Sequence, residues 1–261
     1  MPLNPLSAFL QPWFAAGTPE IAQLNAAAGA RGLVAGKGMP LSFAQPEVTA
    51  EGYEERAFRT GAVATRPSNR HDLFNALIWL IFPQSKAALN RRHVAALAAA
   101  RKQGRADRGA LRDALTQFDE CGVIVAGCCP DLWSALRAHR WREVFVERRE
   151  QLLRSTRFVV FGHASHDALC EPFVGLCGKA LFVDVDETWL NLSETAALAE
   201  LDTRLAELFD TRAFSPRYWQ PLPLLGIPGA TSDNERPTYY DDTRQFRPPR
   251  TMPAGSSPGS R

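Results

Sequence analysis

Three polar residues of types suited to acid–base or metal chemistry open a long apolar stretch. His71, Asp72 and Asn75 lie at the start of the segment NRHDLFNALIWLIFP. His71 and Asn75 are spaced i and i+4, so they share one face of a helix. In a first turn the helix dipole disfavours the imidazolium, which favours a neutral ring able to bind a metal or accept a proton. The alternative is structural: Asp72 caps the helix, and the other two hold the preceding loop.

Three carboxylates gather where the string RDALTQFDECG leads into a predicted strand. They are Asp113, Asp119 and Glu120, and a turn is predicted at residues 119–122. Carboxylates at strand ends suit metal binding or acid–base catalysis. The alternative is a plain turn, with Asp113 in an ion pair with Arg112.

Two histidines follow another predicted strand. In FGHASHD, His163 comes directly after the strand and His166 three residues later. If a helix begins there, the two rings converge on one ligand. The H-x-x-H spacing is equally typical of one satisfied structural histidine and one surface histidine.

Polar residues elsewhere could bind a substrate. Lys86, Asn90 and His93 form one stripe on the helix after Pro83, and Lys86 could reach an anionic ligand. The alternative is a solvated helix face.

The late segment PLPLLGIPGATSDNERPTYYDDTRQFRPPR is a long irregular loop rich in aromatic residues. Such a loop is expected to pack against the body of the domain or to serve a function. We expect Asp241 or Asp242 to close a site over the helix that contains His71, and Arg247 or Lys86 to steady an anion. Asn75 and Asn234 are assigned to the same ligand-binding group.

Composition places the chain among ordinary globular proteins. It has 261 residues, 45% hydrophobic and 22% charged, with a formal net charge of +2. Five cysteines, with two adjacent and no C-x-x-C pair, predict reduced thiols rather than a disulfide framework. No Lys or Arg precedes Arg31, and the longest apolar run is about half a membrane span, so we expect a soluble cytoplasmic protein without a membrane partner. The oligomeric state stays open.

Charge is unevenly distributed along the chain. Residues 91–109 are strongly basic, and residues 184–210 are strongly acidic. This pattern predicts a dipolar surface whose basic patch could bind a phosphate-bearing ligand, or else two solvated helix faces. A nucleic-acid binder would use Arg91 to Arg108, but the near-neutral total and the acidic segment argue against that partner.

Local patterns predict the elements that must position these residues. Asn69 fits an N-cap, the helix it starts is apolar on nearly all sides and therefore buried, and Pro83 ends it. Other helices are predicted at residues 5–30, from 84 to about 104, at 131–155, over HASHDALC and from a cap at Ser193. Strands are predicted at 121–127, 158–162 and 180–185, with a hairpin or irregular meander at 31–68.

These elements predict an α+β fold. We expect a mostly helical single domain around a small, partly parallel sheet, with a long irregular C-terminal loop. Residues 1–60 form a helical lead-in and irregular segment, 61–250 the main domain, and 251–261 a disordered tail.

Several strings match a known family in order and spacing. They are HDLFNALIWLIFPQSKAALN, RDALTQFDECGVIVA, FGHA with PFVGLCGKAL, PLPLLGIPG and YYDDTRQFRP. Over about residues 60–250 the chain resembles the bacterial domain-of-unknown-function family numbered three thousand and twenty-five. The resemblance implies that the candidate residues fall on motif positions, and it brings no activity with it.

Two functions are compatible with these residues. The first is a hydrolase that uses a divalent metal and acts on a phosphate-bearing substrate, with His71, Asp72 and His163 as ligands or bases. The carboxylates of Asp113, Asp119 and Glu120 would complete its site. The second is a non-catalytic binding or scaffold protein, in which the polar residues form a structural network and no deep pocket exists.

Overall fold

A four-stranded mixed sheet organises the chain. The computed structural model describes residues 3–47, 51–105 and 107–249, so the predicted tail at 251–261 lies outside the described residues. The strands are β3 (Gly122–Gly127), β4 (Thr156–Val160), β5 (Cys177–Asp184) and β6 (Gln220–Pro223), in the spatial order β4-β3-β5-β6. β3 and β5 are parallel, and the outer pairs are antiparallel. The predicted α+β class and the three predicted strands are confirmed.

The fourth strand is absent from the sequence predictions. β6 reads Gln-Pro-Leu-Pro, and it pairs with β5 at one edge of the sheet. Proline cannot donate to a strand ladder, so a segment with two prolines is tolerated only at an edge. With two prolines in four residues, the sequence does not indicate a strand here.

Helices cover both faces of the sheet. They are α1 (Ile21–Ala30), α2 (Tyr53–Thr60), α3 (Arg70–Ile81), α4 (Pro83–Lys102), α5 (Ala110–Cys121), α6 (Pro130–Arg137), α7 (Arg149–Ser155), α8 (His163–Leu169), α9 (Glu187–Leu190) and α10 (Glu194–Thr211). A 3-10 helix at Pro5–Phe14 precedes α1, and a small parallel pair, β1 (Ser42–Ala44) and β2 (Ala62–Ala64), flanks α2. Across the described ranges no helix is long and apolar enough to cross a membrane.

The buried helix α3 begins and ends as predicted. Asn69 Oδ1 accepts a hydrogen bond from the Asp72 N–H at 2.9 Å, which is an N-cap. Residues 73–80 are all buried. Pro83 then starts α4 directly, because proline is tolerated in a first helical turn but not inside a helix.

The predicted turn at residues 119–122 is wrong. Helix α5 runs to Cys121, and Gly122 is already the first residue of β3. A Cβ atom on Gly122 would lie 2.4 Å from the Phe118 carbonyl oxygen. Only glycine therefore lets the chain pass from helix to strand without a loop, and Asp119 and Glu120 sit on the last turn of a helix.

Two other predictions need correction. Part of the segment predicted as a hairpin is helix α2, whose first turn carries Glu54 and Glu55 and whose last turn carries Arg59, as the helix dipole favours. The single helix predicted at 131–155 is three pieces: α6, a π-helical turn at Glu143–Glu147, and α7. The first break coincides with His139, whose φ of 55° is incompatible with a continuing right-handed helix.

Two hydrophobic cores lie on opposite faces of the sheet. Ile124 and Ala126 of β3 belong to the core formed with α3, α4, α5 and α10. Val123 and Val125 point the other way, to the core that includes Tyr240 and Phe246 of the late loop. The late loop and α3 therefore lie on opposite faces of the sheet, and the loop does not close over His71.

The basic and acidic segments face each other. α4 packs against α10, and Arg91 Nη2 lies 2.6 Å from Asp210 Oδ2. Arg92 donates to the carbonyl oxygens of Asp210 and Arg212 at 2.7 and 3.1 Å. The predicted dipolar surface is partly cancelled by these contacts. None of the five cysteines is joined in a disulfide.

Candidate metal and catalytic site

Three metal-ligating side chains from distant parts of the sequence meet at the ends of three helices. His71 lies in the first turn of α3, Glu120 in the last turn of α5, and His163 is the first residue of α8. Glu120 Oε2 lies 3.8 Å from His71 Nε2 and 3.4 Å from His163 Nε2. The imidazole rings lie edge to face with centroids 4.6 Å apart, and one ligand atom from each residue lies within 4.8 Å of the others.

A close backbone contact brings two of these residues together. α5 passes into β3 at Gly122, and His163 follows β4 through Gly162. A Cβ atom on Gly162 would lie 2.4 Å from the Glu120 carbonyl oxygen and 2.5 Å from the Gly122 amide nitrogen. No side chain separates the two backbones, so the ends of neighbouring strands hold Glu120 and His163 side by side.

The spacing of the donor atoms fits a divalent metal. Zinc binds imidazole nitrogen and carboxylate oxygen at about 2.0–2.2 Å, and a tetrahedral angle then separates two donors by about 3.4 Å. The observed separations of 3.4 and 3.8 Å are near that value. The donor nitrogens of His71 and His163 lie within 4.8 Å of each other, so the side chains would have to close further around an ion to bind it with all three residues.

The electrostatics favour a neutral imidazole beside a carboxylate. Burial lowers the pKa of His163 to about 4, and the charge of Asp119 offsets only part of that effect. Burial, together with the charge of Asp119, raises the pKa of Glu120. A neutral His163 binds a metal without first losing a proton.

An ion pair of Asp119 and Lys86 lies beside His163. Asp119 Oδ2 lies 3.8 Å from His163 Nδ1, which is buried and has no hydrogen-bond partner. Asp119 Oδ1 lies 2.5 Å from Lys86 Nζ, and Lys86 is only 3% exposed. Burial alone would raise the pKa of Asp119, but the charge and hydrogen bond of Lys86 oppose it and the pKa is lowered. Metal-bound histidines usually donate their second N–H to such a carboxylate.

Asn75 fixes the position of Lys86. Its Oδ1 accepts from Lys86 Nζ at 2.9 Å, and its Nδ2 donates to the Tyr53 hydroxyl at 2.9 Å. The ammonium also lies 5.5 Å from the centroid of the Trp79 ring. Asn75 and Lys86, predicted as ligand-binding residues, are thus tied to one another and to Asp119.

A cleft of about 550 Å³ opens beside the three donors. The histidines, Asp119 and Glu120 line one part of it. Other polar lining residues come from α2, α4, α5 and Arg108 just before α5. These residues are Tyr53, Glu54, Glu55, His93, Arg108, Arg112 and Thr116.

Glu54 is a site residue that the sequence predictions missed. Burial and the charge of Asp119 raise its pKa to about 7. Asn90 Nδ2 donates to Glu54 Oε2 at 2.7 Å and to the Glu54 carbonyl oxygen at 2.8 Å. Recognising YEERAFRT as an amphipathic helix rather than a hairpin strand would have placed a carboxylate in a first helical turn.

The stripe Lys86, Asn90 and His93 faces inward. Its residues are 3%, 1% and 4% exposed, so it is not a solvated helix face. Burial lowers the pKa of His93 to about 4, which keeps that ring neutral. Of the stripe, His93 lines the cleft, and Lys86 contacts Asp119.

Two predicted carboxylates lie apart from the donor cluster. Asp72 lines the cleft but is committed to Arg66: its oxygens accept from the backbone N–H and from Nε, each at 2.8 Å, and from Nη2 at 2.9 Å. Asp113 lies almost two turns before Glu120 on α5, is 46% exposed and lies 3.5 Å from Arg108 Nε. The structure does not bring either residue to the histidines.

The predicted residues of the late loop hold that loop together on the opposite face of the sheet. Asn234 Nδ2 donates to the carbonyl oxygens of Leu225 and Ile227 at 3.0 and 2.7 Å. Asp242 accepts hydrogen bonds from the side chain and N–H of Arg244. The Arg247 carbonyl oxygen accepts from Trp141 Nε1 at 2.9 Å.

His166 turns away from His163. Its Nδ1 lies 2.7 Å from Ser7 Oγ, and its Nε2 lies 3.1 Å from the Val160 carbonyl oxygen. Burial lowers its pKa to about 3. The two rings do not converge, and His166 is a structural histidine.

Comparison with known proteins yields one match. The family model DUF3025, described as a protein of unknown function, matches residues 41–250. No curated protein matches the chain, and no solved structure matches it.

Proposed function

Because the chain belongs to the DUF3025 family, which carries no assigned function, we propose an activity from the site itself. The protein is a hydrolase that uses one divalent metal ion and acts on a phosphate-bearing substrate. His71, Glu120 and His163 hold the ion.

One observation carries this proposal: two imidazoles and one carboxylate meet beside a cleft. Their ligand atoms lie within 4.8 Å of one another. Three protein ligands leave a coordination position open, as in catalytic zinc sites, whereas structural zinc sites are closed by four. The cleft of about 550 Å³ gives a substrate access to that position.

The nitrogen-rich donor set favours zinc over magnesium or calcium, which prefer oxygen ligands. Two histidines and a carboxylate also bind Fe(II) in octahedral sites, where neighbouring donors are separated by about 3.0 Å. The separations of 3.4 and 3.8 Å are nearer to the tetrahedral value. When bound, the ion would polarise the substrate and acidify a water molecule.

Glu54 is the candidate general base. It lines the same cleft, and its pKa of about 7 suits proton transfer at neutral pH. Water adds to the electrophilic centre of the substrate, and the bond to the leaving group breaks. The proton lost by water passes to the Glu54 carboxylate and then to the leaving group.

The scaffold hypothesis predicts a polar network and no deep pocket. A network does join Tyr53, Asn75, Lys86 and Asp119. However, the cleft lined by His71 and Asp119 weighs against a purely structural role, and the late loop is not part of this network. These observations favour the hydrolase.

Metal analysis and a substrate screen test the proposal. Protein stripped with a chelator is reloaded with zinc, manganese, magnesium or Fe(II), the bound metal is counted, and phosphate-bearing compounds are screened for hydrolysis by mass spectrometry. We expect one zinc per chain and hydrolysis by the zinc form, with both lost in Glu120→Gln and His163→Ala.

Matched controls lie outside the cluster. Asp113→Asn changes an exposed carboxylate on the same helix, and His139→Ala changes a histidine whose ring stacks on Trp141 elsewhere. Both variants should bind zinc like the wild type. Zinc binding that survives Glu120→Gln unchanged, or tight binding of Fe(II) alone with no hydrolysis, would overturn the proposal.

A further inference from the structure

One face of α5 joins the metal-ligating residues to a basic region. Arg112, Thr116 and Glu120 are spaced at intervals of four residues, so they lie in one row along the helix. Arg108 precedes the helix, and its side chain contacts Thr116 of the row. With about 1.5 Å of rise per residue, Thr116 lies about 6 Å and Arg112 about 12 Å along the helix axis from Glu120.

Arg112 has no counter-charge among the residues that the structure describes. Arg112 Nε is buried and has no hydrogen-bond partner, and no carboxylate in the described ranges pairs with its guanidinium. Arg66, on the same cleft, is in contrast fully engaged by Asp72. Arg112 is half-buried and without a carboxylate partner in the described ranges, so it is well placed to receive an anion.

Two neighbours complete a cradle. Arg108 Nη2 donates to Thr116 Oγ1 at 2.5 Å, which brings this second guanidinium back along the row towards Glu120. Among the described residues, the one carboxylate that pairs with Arg108 is that of Asp113, 3.5 Å from its Nε, and the Arg108 side chain is 53% exposed. Two guanidinium groups and a hydroxyl match the charge and the several acceptor oxygens of a phosphate group, whereas a carboxylate offers one negative charge and two oxygens.

We propose that Arg108, Arg112 and Thr116 bind a phosphate group of the substrate as a recognition handle, at a distance from the bond that is hydrolysed. The identity of that bond rests on the proposed function, whereas the phosphate site needs no metal. The row places the phosphate one to two helical turns from Glu120 and the other two proposed metal ligands. The substrate is therefore a phosphorylated small molecule that keeps its phosphate. Water is added to a different bond, and the phosphoester remains intact.

Binding of inorganic phosphate to metal-free protein tests the handle directly. Calorimetric titration is performed on the wild type, Arg112→Gln, Arg112→Lys, Glu120→Gln and, as control, Arg154→Gln, an arginine on α7 that is 72% exposed. Loss of a charge-assisted contact should weaken binding about 10- to 100-fold in Arg112→Gln. Arg112→Lys should recover part of the affinity, and Glu120→Gln and Arg154→Gln should bind phosphate like the wild type.

Two outcomes contradict the handle and leave the metal site standing. One is phosphate binding that Arg112→Gln leaves unchanged, or that requires zinc and disappears in Glu120→Gln. The other is release of inorganic phosphate from a phosphate monoester by the zinc form. Conversely, metal-free phosphate binding that depends on Arg112, in a protein that holds no metal, would support the handle and refute the hydrolase.

Discussion

Replacing Asp119 with asparagine tests whether one carboxylate both neutralises Lys86 and orients His163. Asp119 Oδ1 lies 2.5 Å from Lys86 Nζ, and Oδ2 lies 3.8 Å from His163 Nδ1. In Asp119→Asn the ammonium keeps Asn75 Oδ1 and the Trp79 ring as neighbours. It loses its counter-charge at a position that is 3% exposed.

The expected loss of stability follows from this burial. Removing one partner of a buried ion pair costs about 3–5 kcal/mol, because the other charge stays buried without compensation. Asparagine keeps an oxygen that can accept from Lys86, and the Asp119 side chain is 16% exposed, so we expect the lower end, about 3 kcal/mol. Lys86→Met should cost a similar amount, since it leaves Asp119 unpaired.

The double variant Lys86→Met/Asp119→Asn removes both charges. Its loss of stability should be about 2–3 kcal/mol below the sum of the two single losses, because neither charge remains to be compensated.

The effect of Asp119→Asn on metal binding is a separate expectation. Loss of the carboxylate behind a ligating histidine typically weakens metal affinity about 10- to 100-fold, so Asp119→Asn should bind zinc less tightly by that factor.

Urea unfolding of metal-free protein at pH 7, followed by tryptophan fluorescence, measures the loss of stability. Competition with a zinc chelator measures the loss of zinc affinity. Asp113→Asn, an exposed carboxylate on the same helix, should change stability by less than about 0.5 kcal/mol. Strictly additive single losses would refute the coupling between Lys86 and Asp119. Zinc affinity equal to that of the wild type in Asp119→Asn would refute its role in orienting His163.

Three other features have measurable consequences: a buried histidine, a tight junction and a cleft carboxyl. The pKa of His166 falls from about 6.5 in the unfolded chain to about 3 in the folded protein, so its contribution to the free energy of unfolding is complete above pH 6.5 and is lost as the pH falls towards 3. Between pH 7 and pH 5, urea titrations should show that the wild type loses about 2 kcal/mol more stability than His166→Gln. Equal losses of stability in the two proteins would contradict this. Gly122→Ala should cost about 3 kcal/mol of stability, because its Cβ would lie 2.4 Å from the Phe118 carbonyl oxygen. The control Gly29→Ala in α1, with open space around it, should stabilise by about 0.5–1 kcal/mol. Comparable urea midpoints for the two variants would show that the backbone between α5 and β3 relaxes. If hydrolysis is observed, kcat/KM should fall below pH about 7 as Glu54 is protonated. Glu54→Gln should remove this pH dependence and most of the rate. An unchanged dependence of kcat/KM on pH in Glu54→Gln would exclude Glu54 as the base.

Local signals were sufficient to predict much of the secondary structure. Asn69 caps α3, Pro83 ends it, and Ser193 caps α10 with its hydroxyl accepting from the Ala196 N–H. The β-branched and apolar runs of β3, β4 and β5 were equally readable, since strands covered on both faces are continuously hydrophobic. Each of these features depends on neighbours in sequence.

The failures depend on contacts between distant segments. Nothing local shows that Gly122 packs against the Phe118 carbonyl and removes the expected turn. Strand β6 exists only because the edge of β5 accepts a proline-containing partner. Helix α2 was mistaken for part of a hairpin because its charged residues alternate with apolar ones over a short length.

The candidate site was predictable in its residue types and not in its geometry. His71, Glu120 and His163 were all selected, because each is a polar residue at the end of an apolar element. Asn234 was selected by the same reasoning, yet it lies on the other face of the sheet. Sequence alone does not say which face a loop will cover, and Glu54 was missed because its helix was not recognised.

The backbone contact between Gly122 and Gly162 divides the site into a fixed and an adjustable part. Glu120 and His163 are placed by two chain segments that touch without intervening side chains, so their separation does not depend on how the surrounding side chains repack. The residues proposed to bind the phosphate group of the substrate, Arg112 and Thr116, lie on earlier turns of α5, away from this contact. Substitutions at those positions should therefore change which molecule binds and leave the geometry of Glu120 and His163 intact. Such an arrangement lets one scaffold acquire new specificities through few changes.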